Sequence, residues 1–285
     1  MLFPTGLLVC LSMTLGHADD QLASERDIAG KIAIVTGAAS GIGRAITEHL
    51  LKNDIKNVII VDMNEKHGAE TELALKEQYG DDRVEFIYGD ITKDLEEVHN
   101  KVYEKYGYVN ILVNNAGVLN EDDPELTLRV NALGTLQWSL KFYNSMRKDR
   151  GGKGGTIINI SSISGFLVDP FITSYKASKY AIIGLTLGLG HEYNYKTSAV
   201  RVVAICPGFT SSDMTDGQMV VDEQASIFDK FRSSLIWQTP DVLGKNAIKV
   251  FQEADTGSIW VSEEGKDAEI APARKVVTLS QLESL

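Results

Sequence analysis

Cysteine is almost missing from this chain of 285 residues, which holds only Cys10 and Cys206. Two thiols cannot build a disulfide framework or a zinc cluster. Histidine is scarce as well. His17, His49, His67, His99 and His191 show no metal-ligand spacing, so no metal centre is expected. Basic residues are in deficit: 28 Lys and Arg stand against 39 Asp and Glu, a net charge of -11. Such a surface repels nucleic acid and acidic lipid headgroups and excludes both as partners. No apolar run reaches the ~20 residues that cross a bilayer, so no membrane span is expected. Low-complexity segments and internal linkers are absent too.

The N-terminal segment differs from the rest. Leu7-Leu8-Val9-Cys10-Leu11 continues through Met13 and Leu15, with Gly16 and Ala18 at the small-residue positions that a signal peptidase reads. Residues 1–18 are therefore expected to be a signal peptide cleaved after Ala18, and the protein to be secreted. The leader has no Lys or Arg, which keeps a cytoplasmic protein with an uncleaved extension as the alternative. Cleavage removes Cys10. Cys206 follows the apolar run Val202-Val203-Ala204-Ile205 and reads as a packed strand-end thiol, not a nucleophile.

What is present is an ordinary globular composition, 44% hydrophobic and 24% charged, at a length that suits one α/β domain. Ile32-Ala33-Ile34-Val35, Val58-Ile59-Ile60-Val61, Val84-Glu85-Phe86-Ile87, Ile111-Leu112-Val113, Ile157-Ile158-Asn159-Ile160 and Val200-Arg201-Val202-Val203 read as strands buried on both faces. Helical spacing appears between them, as in Ile42-Ile46-Leu50, Leu73-Leu75-Tyr79 and Val98-Val102-Tyr106. Strand and helix in alternation predict a doubly wound parallel sheet with helices on both faces. The run from Gly151 to Gly155 is a turn, and periodicity fades from about Gly265.

The first strand runs into Thr36-Gly37-Ala38-Ala39-Ser40-Gly41-Ile42-Gly43. Residues without a Cβ let backbone N–H groups approach a pyrophosphate, and the helix starting near Ile42 points its positive end at that group. The second strand ends at Asp62, whose carboxylate can accept both ribose hydroxyls and would repel a 2′-phosphate. The loop carries Ala39 and Ser40 and no cation, so NAD is favoured over NADP as cofactor. Asp90 and Ile91 end the third strand. Asp90 could bind the adenine amino group, cap the next helix, or both.

Thr36-Gly37-x-x-x-Gly41-x-Gly43, Asn114-Asn115-Ala116-Gly117, Ser162, Tyr175-Lys176-Ala177-Ser178-Lys179 and Pro207-Gly208 occur in order. In this the chain resembles the short-chain dehydrogenase/reductase family, over about residues 28–262, with 263–285 left as a tail. The connection from Gly117 to Asp122 and the late Gly257-Ser258-Ile259-Trp260 resemble the insect alcohol dehydrogenase and 15-hydroxyprostaglandin dehydrogenase groups within it. The resemblance implies a Rossmann-type domain, a nicotinamide cofactor and a homo-oligomer, dimer or tetramer. It also implies that Asn131 anchors a water near Lys179, that Lys179 holds the nicotinamide ribose, and that Asn115 lies near the adenosine side. It selects Ser162 over its neighbours Ser161 and Ser164.

The chemistry follows from residue types. Taking a hydride from an alcohol carbon requires a base for the hydroxyl proton, and free tyrosine at about 10 is too weakly acidic for that near neutrality. Lys179 lies one helical turn after Tyr175 on the same face. Its charge, with that of an oxidised nicotinamide, is expected to lower the phenol pKa. Ser162 can hold the substrate oxygen beside Tyr175. Thr210 to Ser212, past the sixth strand, are expected to hold the carboxamide. Apolar residues in 165–172 and 214–237 should wall a pocket for a lipophilic alcohol or ketone, or else pack a lid. A nucleotide- or ligand-binding carrier on the same fold and an NADP-linked reductase are the alternatives. Asn159-Ile160-Ser161 fits the N-glycosylation pattern but falls in a buried strand, and Trp138, Trp237 and Trp260 are expected in the core or an interface.

Overall fold

A computed structural model describes residues 25–216 and 219–271. The leader assigned to residues 1–18 and the tail beyond 271 lie outside the described residues.

The β-branched runs form strands, as their composition predicts. β1 (Ile32–Thr36), β2 (Asn57–Asp62), β3 (Val84–Tyr88), β4 (Ile111–Asn114), β5 (Gly155–Ile160), β6 (Val200–Pro207), β7 (Ile259–Ser262) and β8 (Glu269–Ile270) make one sheet, ordered 3-2-1-4-5-6-7-8. All neighbours run parallel except β7 and β8, which are antiparallel. Between the strands lie α1 (Gly41–Lys52), α2 (Glu65–Tyr79), α3 (Leu95–Tyr106), α4 (Pro124–Leu128), α5 (Thr135–Met146), α6 (Thr173–Leu189), α7 (Glu192–Ser198), α8 (Asp213–Asp216), α9 (Ala225–Ser233) and α10 (Pro240–Glu253). A π-helical stretch, Arg129–Gly134, joins α4 to α5.

Successive strand residues feed two different cores. Ala33, Val35, Val58 and Ile60 pack with Ile46 and Leu50 of α1 and Leu243 and Phe251 of α10. Ile32, Ile34, Ile59 and Val61 face the other way, onto Val98 and Val102 of α3 and Trp138 and Phe142 of α5. Alternation along a strand thus explains why these runs are apolar at every position.

Three features depart from the sequence pattern. Residues 263–271 are not tail: Trp260 pairs with Ile270, and Ala268 is buried. A two-residue strand carries no periodicity to read. The strand at Val84 is not buried on both faces, because β3 is the sheet edge. Glu85 instead accepts hydrogen bonds from Lys105 and Tyr106. Leu73, counted towards the apolar face of α2, is 70% exposed. Asn159 is fully buried and donates to Thr186, so its glycosylation is excluded.

Trp138 is 1% exposed, stacks on Phe142, and donates its indole N–H to the carbonyl of Ile91. Trp138→Ala should therefore destabilise the chain by about 3–5 kcal/mol, read as a lower midpoint in denaturant unfolding.

Candidate active site

The strand order reverses between β1 and β4, which leave the sheet centre in opposite directions. An open α/β sheet has its crevice at such a point, beyond the carboxyl ends of the strands. A cavity of about 680 Å³ opens there, lined by residues that follow β1 to β6. It is bordered by Gly37, Ser40, Gly41, Ile42, Asp62, Asp90, Ile91, Asn115, Ser162, Tyr175, Lys179 and Thr210. Of the residues assigned from the sequence to catalysis or the cofactor, Gly43, Asn131 and Ser211 do not border it.

One half of the cavity is shaped by the glycine loop. Gly37 and Gly41 have φ of 64° and 54°, the left-handed region open to glycine. A Cβ at Gly43 would lie 2.3 Å from the carbonyl oxygen of Gly37 and 2.5 Å from the Asn115 amide. That amide donates to the carbonyls of Thr36 and Gly37, so Asn115 clamps the loop. Ser40 makes no side-chain cap, and the first turn of α1 carries no acid. Its N–H groups and dipole are thus left for an anion at the cavity wall. The Asp62 carboxylate accepts from the backbone N–H groups of Ala39 and Asn64, one on each oxygen, and each oxygen keeps a second lone pair. Asp90 accepts from Thr92 and pairs with Lys93, which closes a turn ahead of α3; it does not cap that helix, whose N-cap position is Asp94. Desolvation works against its ionised form, yet the Lys93 and Thr92 hydrogen bonds hold its carboxyl below the usual range. The free N–H groups at the start of α1 suit a pyrophosphate, and the open lone pairs of Asp62 suit ribose hydroxyls.

The other half is built on α6. The Ser162 hydroxyl, two residues past β5, accepts from the Ser164 N–H and lies near enough to the Tyr175 phenol to favour its ionised form. Lys179 is 5% exposed, donates to the carbonyl of Ile160, and sits 5.2 Å from the Tyr175 ring centre. Tyr175 keeps part of its surface open to the cavity. Asn131 accepts from the Val118 N–H and donates to the Val118 carbonyl and the Ser178 hydroxyl. Its side chain is consumed in holding the segment after β4 against α6. The Ser178 hydroxyl in turn donates to the Tyr175 carbonyl.

The expected lowering of the phenol by Lys179 is not what the chain's own residues produce. Desolvation pushes Tyr175 up to about 12, with the Ser162 hydrogen bond opposing it. Desolvation likewise pushes Lys179 down to about 8. The amine is already uncharged where the phenol alone would titrate. Both groups are driven towards neutrality by the same dry surroundings.

Thr210 donates its hydroxyl to the Gly208 carbonyl and accepts from Gln238, leaving Ser212 and backbone groups to face the cavity. The expected apolar wall is only partly as read. Ile172, Met214 and Met219 border the cavity, whereas Phe166 packs against Ile183 and Val168 is 89% exposed. Phe171, Phe228 and Phe231 form an aromatic cluster behind Ile172 and Met219. Met63, Lys93 and Arg129 also border the cavity and were not singled out from the sequence. Their place depends on how α3 and α4 pack, although Met63 directly follows Asp62. No group of His, Cys, Asp and Glu suited to a metal occurs among the described residues.

Fold and site together define a dinucleotide-binding dehydrogenase architecture. The family model described as short chain dehydrogenase matches residues 31–220, and the chain belongs to that family. Among individual relatives, rat 15-hydroxyprostaglandin dehydrogenase (NAD(+)) is 42% identical over 189 residues, 66% of this chain and 71% of that protein. Alcohol dehydrogenase 1 of Ceratitis cosyra is 29% identical over 251 residues, 86% of this chain and 96% of its own length. The same fold occurs in a short chain dehydrogenase/reductase from Burkholderia phymatum solved in complex with NAD. It has a TM-score of 0.71 and 22% identity, covering 84% of this chain and 90% of that one.

Gly43→Ala should force the loop and Asn115 apart while leaving the sheet intact. We expect nucleotide affinity to fall at least about tenfold in a fluorescence titration, and the unfolding midpoint to drop as well, since overpacking against backbone costs about 1–3 kcal/mol.

Proposed function

We propose that the chain is an NAD-dependent oxidoreductase that moves a hydride between a secondary, lipophilic alcohol or its ketone and the nicotinamide. The observation that carries this reading is the cluster of Ser162, Tyr175 and Lys179 at the wall of one cavity, opposite the glycine loop. The names of the relatives support the same chemistry and cofactor. A carrier has no use for a buried amine beside a phenol at the cavity wall, because burying the amine costs stability.

Ser162 donates to the alcohol oxygen and holds it beside the Tyr175 phenol. Tyr175, as phenolate, takes the hydroxyl proton as the hydride leaves the carbon, so the alcohol becomes a ketone. When bound, the nicotinamide accepts that hydride, and its positive charge favours the anionic phenol. Lys179 keeps the phenolate paired and is placed to bond the nicotinamide ribose. Asp62 accepts from the adenosine ribose and disfavours a 2′-phosphate, which selects NAD. Ile172, Met214 and Met219, backed by the phenylalanine cluster, offer an apolar wall to the rest of the substrate.

The two shifted groups set the pH dependence. The pair loses its first proton near the lower of its values, about 8. The product is a singly protonated pair, either phenol with amine or phenolate with ammonium, and one macroscopic step governs both. Below that step both protons are held and no base exists, so alcohol oxidation falls as pH falls. Ketone reduction needs the proton on the phenol, which is lost only at higher pH, so it does not fall across this step.

Tyr175→Phe should cut alcohol oxidation by about 10²–10⁴ while nucleotide still binds, followed as NADH absorbance over a panel of lipophilic secondary alcohols. Undiminished turnover in a folded Phe variant would refute the assignment. Lys179→Met removes the cation that keeps the phenolate company. The lower limb of the pH profile for alcohol oxidation should then move up by at least about one unit.

A further inference from the structure

The helix that carries the reactive pair begins without a cap of its own. The residue before its first turn, Ile172, has φ 43° and ψ 53° and offers no side-chain acceptor. A β-branched residue in the left-handed region is a strained and uncommon start for a helix. The Ser174 hydroxyl is buried and has no hydrogen-bond partner among the described residues, so it does not serve either. Tyr175 is the third residue of this helix, in the turn whose N–H groups have no partner further back and which frays first.

A carboxylate from another part of the chain fills the gap. Glu121 accepts from the Ser174 N–H at 3.0 Å on one oxygen and from the Tyr175 N–H at 2.9 Å on the other. These are two of the orphan donors that an N-cap side chain would otherwise serve one at a time. A carboxylate at that end also interacts favourably with the positive end of the helix dipole.

The segment presenting Glu121 is itself tied down. Asn131 holds Val118 through both its N–H and its carbonyl. Thr127 holds Asn120 in the same two-sided way. Asn120 accepts from the N–H groups of Asp122 and Asp123. Glu121 thus transmits the position of the chain leaving β4, beside the nucleotide half of the cavity, to the backbone of Tyr175. It does not itself border the cavity.

We propose that Glu121 is a positioning residue for Tyr175: its bidentate bond to the first turn of α6 fixes the phenol relative to Ser162 and the nucleotide. The proposal rests on the hydride-transfer reading above. It relieves position 172 of the capping duty, and so allows an apolar side chain to border the cavity there.

The test uses the full-length chain with NAD and a secondary alcohol that the wild type oxidises, comparing Glu121→Ala and Glu121→Gln. Circular dichroism, NAD affinity, kcat, KM and the primary deuterium isotope effect on the alcohol are measured well below each unfolding midpoint. A positioning role predicts that kcat per folded molecule falls at least about tenfold in the alanine variant. The isotope effect should rise as hydride transfer becomes limiting, and NAD affinity should stay within about twofold. Glutamine keeps one acceptor and should fall between. Folded variants with wild-type kcat and isotope effect, or a loss confined to NAD affinity or KM, overturn the proposal. If the alanine variant fails to fold, the glutamine variant decides on the same measurements. A wild type that binds NAD but oxidises no alcohol overturns the hydride-transfer reading, and this proposal with it.

Discussion

A cation held out of water is the constraint around which this molecule is arranged. Lys179 is 5% exposed and donates to the carbonyl of Ile160. Burying an ammonium is costly unless a partner repays it, and a single carbonyl only partly does so. The amine is accordingly driven down towards neutrality, and the phenol one turn away is driven up. Each group is thus held away from its charged form by the same enclosed surroundings.

Holding such a pair in place calls for a rigid α6, and the helix is pinned along its length by groups from other elements. Lys176 forms an ion pair with Asp169 at 2.7 Å, both side chains largely buried. Asn131 reaches Ser178, and Ser161 donates to the carbonyl of Lys179. Near the far end, Thr186 accepts from Asn159, which also accepts from Asn114 and Ser139 in a buried chain of amides and hydroxyls. These bonds tie the helix to the two central strands. Fully satisfied buried networks of this kind favour a single geometry.

Much of this was legible before any fold was seen, for reasons of local physics. β-branched runs have few alternatives to a strand, a glycine loop between strand and helix has few to a phosphate cradle, and a spacing of four puts Lys179 over Tyr175. What stayed hidden depends on distant chain. Nothing local marks Glu121 as the cap of a helix more than fifty residues later. The two-sided clamp of Asn131 on Val118 is equally invisible, because a helical asparagine can bond to its own backbone. The wall of the cavity was half misread at Phe166 and Val168, since an apolar segment announces burial but not the direction in which it is buried.

The π-helical stretch at Arg129–Gly134 has a consequence for how the gene can change. One additional residue per turn offsets the two flanking helical segments by about 100° of phase. Upstream of it Thr127 is locked to Asn120, and downstream Trp138 and Phe142 are set into the sheet. Losing a single codon here would straighten the rod and force one of those two sides to rotate off its target. Length polymorphism should therefore be far less tolerable in this short window than substitution, even at positions whose side chains face solvent.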